Sequence, residues 1–102
     1  MNKCLFVGRI TDNLVIVKTK KNLNYVKFSI ACKLRGNEKT DFFNCIAWDK
    51  RAELLGKNCV KGDKVALYGY MTMNEYKAKD GRDLKEVQLV CEEIEFLDKR
   101  TE

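Results

Sequence analysis

Residues 41–48, with the sequence D-F-F-N-C-I-A-W, constrain the fold of this chain more than any other segment. Successive side chains of an extended backbone point to opposite faces. One face of such a strand carries side chains suited to a tightly packed core, Phe43, Cys45 and Ala47. The other face carries Phe42, Asn44, Ile46 and Trp48. Aromatic rings exposed beside a polar amide usually have a binding partner, so the segment predicts a β-strand with one functional face.

The same two-residue period recurs over residues 25–35. The face predicted to point to the core carries Val26, Phe28, Ile30, Cys32 and Leu34. The opposite face carries Lys27, Ser29, Lys33 and Arg35. This alternation predicts a second half-buried strand, joined to the first by a polar turn at residues 36–39.

β-branched and aromatic residues predict further strands at residues 2–10, 14–18 and 64–78, and a last strand that ends near Leu97. Gly8, inside the first strand, is a candidate bulge or point of close backbone approach. Asp80 and Gly81 are residues that adopt the positive φ angles of a tight turn. The last two strands therefore form an extended hairpin arm.

One helix is predicted, over residues 50–57, with Asp49 in position to cap its first amides and Gly56 close to its end. About five strands with a helix before the final hairpin is the order of the oligonucleotide-binding (OB) fold, a small Greek-key barrel. We therefore predict an all-β, five-stranded OB-fold with one short helix and an extended β-hairpin arm. The order of elements also permits other small barrels.

The length of 102 residues predicts a single domain at residues 1–98, followed by a short end at residues 99–102. No apolar run suits a membrane span or a signal peptide, which predicts a cytoplasmic protein. Five cysteines without a C-x-x-C spacing, in a chain with no histidine, predict buried free thiols. They do not predict a metal site or a cofactor.

The net charge of +5 is unevenly distributed. Residues 1–85 hold 18 Lys or Arg and 9 Asp or Glu, a balance of +9, whereas residues 86–102 hold 2 and 6, a balance of −4. Many protein surfaces are charged for solubility alone. Together with the exposed rings, however, the basic part favours a partner with flat faces and negative charge, namely single-stranded nucleic acid.

Several motifs, in order along nearly the whole chain, carry a family resemblance. They are N-K-C-L-F-V-G-R-I at the start, F-S-I-A at 28–31, T-D-F-F-N-C-I-A-W-D-K-R-A-E at 40–53, K-G-D-K-V at 61–65 and G-Y-M-T-M-N-E-Y at 69–76. The chain resembles bacterial and phage single-stranded DNA-binding proteins of the homotetrameric type. The resemblance implies an OB-fold that binds and protects single-stranded DNA in replication, recombination or repair, without catalysis.

The resemblance places base-stacking rings at Phe42, Trp48 and Tyr76, and phosphate contacts at Lys50 and Lys61. We add Lys27, Lys33 and Arg35 as phosphate contacts and Asn44 as a polar contact to the strand. A family aromatic is missing from the shorter loop at residues 34–39, where Lys33 or Arg35 takes its place by holding a phosphate or stacking a guanidinium. Neutral Asn44 and Asn74 stand where many relatives carry a cation, which implies weaker electrostatics there. Each ring also has a structural alternative: Trp48 packed on Leu54 or Leu55, Phe42 sealed in a subunit contact, and Tyr76 simply exposed.

The first strand has apolar residues on both faces, which a domain of this size covers with difficulty. We therefore predict an oligomer interface at Lys3, Leu5, Val7, Arg9, Tyr68 and Tyr70. The resemblance implies a homotetramer, with a dimer as the alternative. Relatives that act as general replication proteins carry an acidic C-terminal tail that recruits other proteins. Because this sequence ends at Glu102, we expect a short variant, or a trimmed sequence, without tail-mediated recruitment.

Other functions are also considered. A nuclease on the same barrel would need converging carboxylates, whereas the acidic residues are scattered across predicted turns, where Asp80 and Asp83 form the closest pair. Cysteine catalysis lacks a histidine to activate the thiol. An enzymatic role is therefore not expected. Among binding modules, a primosomal accessory protein that loads a helicase is the main alternative. RNA binding is a third, since stacking does not depend on the 2′-hydroxyl.

Overall fold

Six strands and one helix make up the described part of the chain in the computed structural model, which covers residues 1–36 and 38–98. They are β1 (Cys4–Ile10), β2 (Val17–Lys18), β3 (Asn24–Lys33), β4 (Thr40–Trp48), α1 (Lys50–Asn58), β5 (Lys64–Lys77) and β6 (Asp83–Phe96). The predicted short end at residues 99–102 lies outside the described residues, as does Asn37 of the loop at 34–39.

The strands form one sheet in the order β1-β5-β6-β4-β3-β2, and an additional β1–β3 pairing closes it into a barrel. All pairings are antiparallel except β4 with β6, where Cys45 lies opposite Leu89 and Ile46 opposite Val90. The helix stands between β4 and β5 in the chain and packs on β3, β4 and β6. The predicted OB-fold with one short helix is confirmed, and β5 with β6 forms the predicted hairpin arm.

The core follows the alternation of β3 and β4. Val26, Ile30 and Ala47 have no exposed surface or next to none, as the two-residue period predicts. The helix adds Ala52 and Leu55, both fully buried. Strands β5 and β6 complete the cluster with Val65, Leu67, Leu89 and Cys91. The core therefore lies inside the barrel, and the opposite side chains of every long strand form its outer surface.

Two glycines allow strands to approach closely. A Cβ atom on Gly8 would lie 2.6 Å from the carbonyl oxygen of Ala31, which confirms the predicted close approach. A Cβ atom on Gly69 would overlap the Val90 carbonyl. Gly69 adjoins an irregularity in the β5–β6 ladder, where Tyr68 pairs with Glu93 but Gly69 pairs with Cys91. This bulge lies at the position where the barrel ends and the hairpin arm starts.

Three predicted strand boundaries are wrong. Strand β1 begins at Cys4, because the side-chain amide of Asn2 instead bonds the backbone N–H and carbonyl of Met71. Strand β2 shrinks to two residues. Strand β3 ends at Lys33, so Leu34 and Arg35 lie in the turn, and Leu34 is 37% exposed rather than in the core.

The predicted roles of two aspartates are also wrong. Asp49 makes no side-chain cap of α1; its carboxylate accepts the backbone N–H of Asn24 at 3.4 Å instead. In the arm turn only Gly81 has a positive φ, of 87°. Asp80 acts through its carboxylate, which accepts the N–H of Arg82 at 3.1 Å and pairs with its guanidinium at 2.7 Å.

Three of the five cysteines, Cys45, Cys59 and Cys91, are buried as predicted, whereas Cys4 and Cys32 are half-buried. A hydrogen bond with the Cys91 thiol, reinforced by burial, raises the pKa of Cys45. These thiols therefore behave as small core residues. Within residues 1–36 and 38–98, no helix has the length and apolar character needed to cross a bilayer.

Candidate nucleic-acid interface

The outer surface of β3 and β4 is the first candidate interface, and we call it the β3–β4 face. Paired residues of an antiparallel ladder point to the same side of the sheet. Val26 pairs with Ala47 and both are fully buried, so the alternate pairs point outward. The outward pairs are Tyr25 with Trp48, Lys27 with Ile46, Ser29 with Asn44, Ala31 with Phe42 and Lys33 with Thr40. Five of the predicted site residues therefore share this face.

Two of the predicted stacking rings lie at the two ends of this face. Phe42 is 65% exposed and lies opposite the small side chain of Ala31. Trp48 is 37% exposed on the outer side of β4, whereas Leu55 lies in the core. This position disfavours the alternative in which Trp48 packs on Leu55. Ile46, between the rings, is only 4% exposed, so the prediction that it stays uncovered is wrong.

Tyr25 is an aromatic residue of this face that the sequence reasoning missed. Its ring centroid lies 5.2 Å from that of Trp48, with the planes tilted by 43°. Tyr25 is half-buried at the start of β3 and supports the Trp48 ring from the side. The position of Tyr25 on this face could have been predicted from the sequence, because the two-residue period of the strand places it on the same side as Lys27 and Ser29.

Cations surround the β3–β4 face. Lys27 and Lys33 are exposed on β3, Arg35 lies in the turn beyond it, and Lys50 begins α1 two residues after Trp48. None of these four side chains forms an ion pair with another residue in the described ranges 1–36 and 38–98. Their charges are therefore available to an anionic ligand.

Tyr76, the third predicted ring, lies on the arm rather than on the β3–β4 face. It is 47% exposed and pairs with Leu84 across the hairpin. Its parity with Tyr68 and Tyr70 places it on the outer side of β5. Strand β6 lies between β5 and β4, so its outward side chains connect Tyr76 to the β3–β4 face.

Lys61 lies apart from the other predicted phosphate contacts. It is exposed in the turn between α1 and β5. The next residue, Gly62, donates its N–H to the Ile10 carbonyl at 2.7 Å, which fixes this turn to the end of β1. The structure therefore does not bring Lys61 onto the β3–β4 face.

A second exposed surface is formed by β1 and the adjacent part of β5, and we call it the β1–β5 surface. Leu5 and Val7 are 66% and 47% exposed. Tyr70 is 39% exposed, and the Lys3 ammonium lies 5.3 Å from the Tyr68 ring centroid. Arg9 pairs with Asp98 at 3.2 Å. All six residues predicted for an oligomer interface therefore belong to this surface.

Hydrogen bonding leaves an open edge beside these residues. One edge of β1 pairs with β5 from Cys4 to Arg9. The other edge pairs with β3 only at Arg9 and Ile10. A hydrogen bond with the neighbouring Tyr68 hydroxyl raises the pKa of Lys3. An open strand edge beside exposed apolar residues is a surface on which another strand can pair.

The described ranges 1–36 and 38–98 contain no group of three or more His, Cys, Asp or Glu residues placed to hold a metal ion. Of the two turn carboxylates considered for hydrolysis, that of Asp80 is engaged with Arg82 at 2.7 Å. Asp83 pairs with Lys77 in the hairpin ladder.

A family model and individual relatives both relate this chain to proteins that bind single strands. A family model described as "Single-strand binding protein family" matches residues 1–97. A single-stranded DNA-binding protein of Bacillus cereus is 27% identical over 98% of this chain and 62% of its own length. One from Malacoplasma penetrans is 32% identical over 95% of this chain and 52% of its own length. Single-stranded DNA-binding protein 1 of Streptococcus pyogenes serotype M18 is 27% identical, with coverage of 98% and 81%. The chain thus spans about three-fifths of the Bacillus cereus relative and half of the Malacoplasma one.

Proposed function

The chain belongs to the single-strand binding protein family, and on that basis we propose that it binds and protects single-stranded DNA, independently of sequence, in replication, recombination or repair. The observation that carries the proposal is the β3–β4 face, where exposed Phe42 and Trp48 rings lie among cations that have no ion-pair partner in the described residues. The proposed activity is binding, not catalysis.

Stacking supplies the preference for unpaired strands. We propose that bases stack on Phe42, Trp48 and Tyr76, each of which is exposed. Stacking on an aromatic side chain contributes about 1–3 kcal/mol per base and accepts all four bases, because each has a flat π-face. Duplex DNA hides these faces between neighbouring base pairs. A preference for single strands follows without any sequence being read.

Basic side chains hold the phosphates in this proposal. They are Lys27, Lys33, Arg35, Lys50 and, at a distance from the others, Lys61. Asn44 contributes an exposed polar group between the two rings of β4. Each phosphate that a cation neutralises releases a counterion, so the affinity falls as the salt concentration rises.

The β1–β5 surface supports an assembly of identical chains. Leu5 and Val7 are large apolar side chains that are 66% and 47% exposed in the single chain, and the open edge of β1 lies beside them. We propose a homotetramer, with a dimer as the alternative, whose interface includes Lys3, Leu5, Val7, Arg9, Tyr68 and Tyr70. We also propose that the assembly acts in the cytoplasm.

Competition binding tests the proposed function. A labelled dT oligomer is bound to the protein and challenged with unlabelled dT oligomer, a duplex of equal length, or an RNA oligomer. We expect single-stranded DNA to displace the label and the duplex to displace it weakly. Equal competition by the duplex would contradict the proposal, and stronger competition by RNA would assign the face to RNA. The same mixtures with Mg²⁺ should show no cleavage products.

A further inference from the structure

A groove opens between β1 and β3, at the end of the β3–β4 face that carries Phe42. Strands β1 and β3 pair at Arg9 and Ile10, and the pairing stops before Gly8. The groove has a volume of about 470 Å³. Gly8 and Ala31 lie in its lining and contribute little side-chain volume to it. The space is therefore open to a ligand that lies on the outer surface of the barrel.

One row of outward side chains runs from Phe42 into this groove. Ala31 pairs with Phe42 on one side and with Arg9 on the other, and Arg9 pairs with Lys64 of β5. Paired residues of a ladder point to the same side of the sheet. Adjacent strands lie about 4.8 Å apart, so three spacings put Lys64 about 14 Å from Phe42 along the sheet. A DNA strand stacked on Phe42 can therefore reach Lys64 without leaving the outer surface.

The groove is positively charged. Three cations and no carboxylate are among the described residues that line it. Arg9 is held by Asp98 at 3.2 Å and donates to the Gly62 carbonyl at 3.0 Å. Lys33 and Lys64 are exposed, and neither forms an ion pair with another residue of the ranges 1–36 and 38–98. Ammonium groups without partners attract phosphate. None of the described lining residues is aromatic, so the groove suits the sugar–phosphate backbone rather than a base.

The same groove connects Lys61 with the other predicted phosphate contacts. The hydrogen bond from Arg9 to the Gly62 carbonyl holds the turn that carries Lys61 beside the wall of the groove. Lys61 is exposed in this turn, three residues before Lys64. A DNA strand that enters the groove at Lys33 and passes Lys64 would therefore meet Lys61.

We propose that this groove is a second segment of the binding site for single-stranded DNA, in which Lys64 holds a phosphate between those held by Lys33 and Lys61. The DNA strand leaves the β3–β4 face at Phe42, crosses Ala31 and follows the groove to the turn after α1. Contacts in the groove are made with phosphates, so binding stays independent of sequence. The inference rests on the proposed function and adds Lys64 to it as a phosphate-binding residue.

The salt dependence of a Lys64→Gln variant tests the inference. Each phosphate contact that is lost should reduce the slope of log affinity for a dT oligomer against log salt by about 0.7. Over a tenfold range of salt concentration this change amounts to a factor of about five. We therefore expect Lys64→Gln to bind about fivefold more weakly than the wild type at about 0.1 M salt, and almost equally at about 1 M salt.

The matched control is Lys57→Gln. Lys57 is an exposed residue in the last turn of α1, and it forms no ion pair with another residue that the structure describes. It does not line the groove. This variant loses the same charge and should keep the wild-type slope. The mass of both variants, measured by light scattering, should equal that of the wild type.

Three results would count against these assignments. A wild-type slope in Lys64→Gln, or an equal change in Lys57→Gln, would overturn the inference and leave the proposed function intact. A lower mass of Lys64→Gln alone would assign the groove to the subunit interface, which also overturns the inference. Failure of the wild type to bind the dT oligomer would overturn the proposed function itself.

Discussion

The β3–β4 face and the β1–β5 surface both expose large apolar side chains, yet their charges are arranged differently. On the first, Lys27 and Lys33 have no ion-pair partner in residues 1–36 and 38–98. On the second, Arg9 pairs with Asp98 at 3.2 Å, and Lys3 lies over the Tyr68 ring. Cations without partners suit a polyanionic ligand. Apolar side chains whose neighbouring cations already have partners suit contact with another protein surface, such as that of a second copy of this chain.

The comparison shows that exposure of apolar residues does not by itself identify a partner. Phe42 and Leu5 are almost equally exposed, at 65% and 66%. What distinguishes them is their surroundings: Phe42 shares its face with free ammonium groups, whereas Leu5 lies beside an open strand edge. Substitutions on the β3–β4 face should therefore change the affinity for single-stranded DNA, whereas substitutions on the β1–β5 surface should change the assembly of the chains.

The largest effect is expected on assembly. Changing Leu5→Asp together with Val7→Asp would place two carboxylates in the proposed interface, where loss of hydration is costly. We expect the mass measured by light scattering at micromolar concentration to fall to that of one chain, 11.9 kDa. Val15→Asp, at another residue that is 64% exposed, should leave the mass of the assembly unchanged. A wild-type protein that is already monomeric would contradict the assignment of the β1–β5 surface to an oligomer interface.

The next effect concerns the rings. Phe42→Ala combined with Trp48→Ala removes two stacking platforms and should weaken binding of a dT oligomer by about 100-fold, since each platform contributes about 1–3 kcal/mol. Val60→Ala, at a residue that is 53% exposed in the turn after α1, is the control and should bind like the wild type. A change of less than twofold in the double variant would show that stacking does not occur on this face.

A smaller effect is expected in the salt dependence. Replacing Lys27 and Lys33 by Gln should reduce the slope of log affinity against log salt by about 1.4, because each phosphate contact on a single strand contributes about 0.7. The control replaces Arg82 and Lys85, which are ion-paired with Asp80 and Glu75, by Gln. Its slope should change less than that of the first pair. If the slope changed equally in both variants, the cations without ion-pair partners would not be the ones that contact phosphates, which would contradict the account.

The sequence predicted the parts of this structure that depend on local backbone geometry. The two-residue period of residues 25–33 and 41–48 correctly placed Val26, Ile30 and Ala47 in the core and Phe42 and Trp48 outside it. This succeeds because alternation is a property of each extended chain segment, whatever its neighbours are. Runs of β-branched and aromatic residues, bounded by turn residues, likewise predicted the order of the strands and the single helix between β4 and β5.

Features that depend on contacts between distant segments were not predicted. Ile46 has outward parity but is only 4% exposed, and it lies between Lys27 of β3 and Val90 of β6 in the ladders. The carboxylate of Asp49 bonds Asn24 instead of capping α1.

The central claim, that bases lie against the exposed ring of Trp48, is tested most directly by its fluorescence. The chain contains one tryptophan, so all tryptophan emission reports on this ring. Titration with a dT oligomer should quench the emission to a saturating level, and added salt should restore it as the strand dissociates. Emission that stays constant while a labelled oligomer binds, as followed by its anisotropy, would contradict the account.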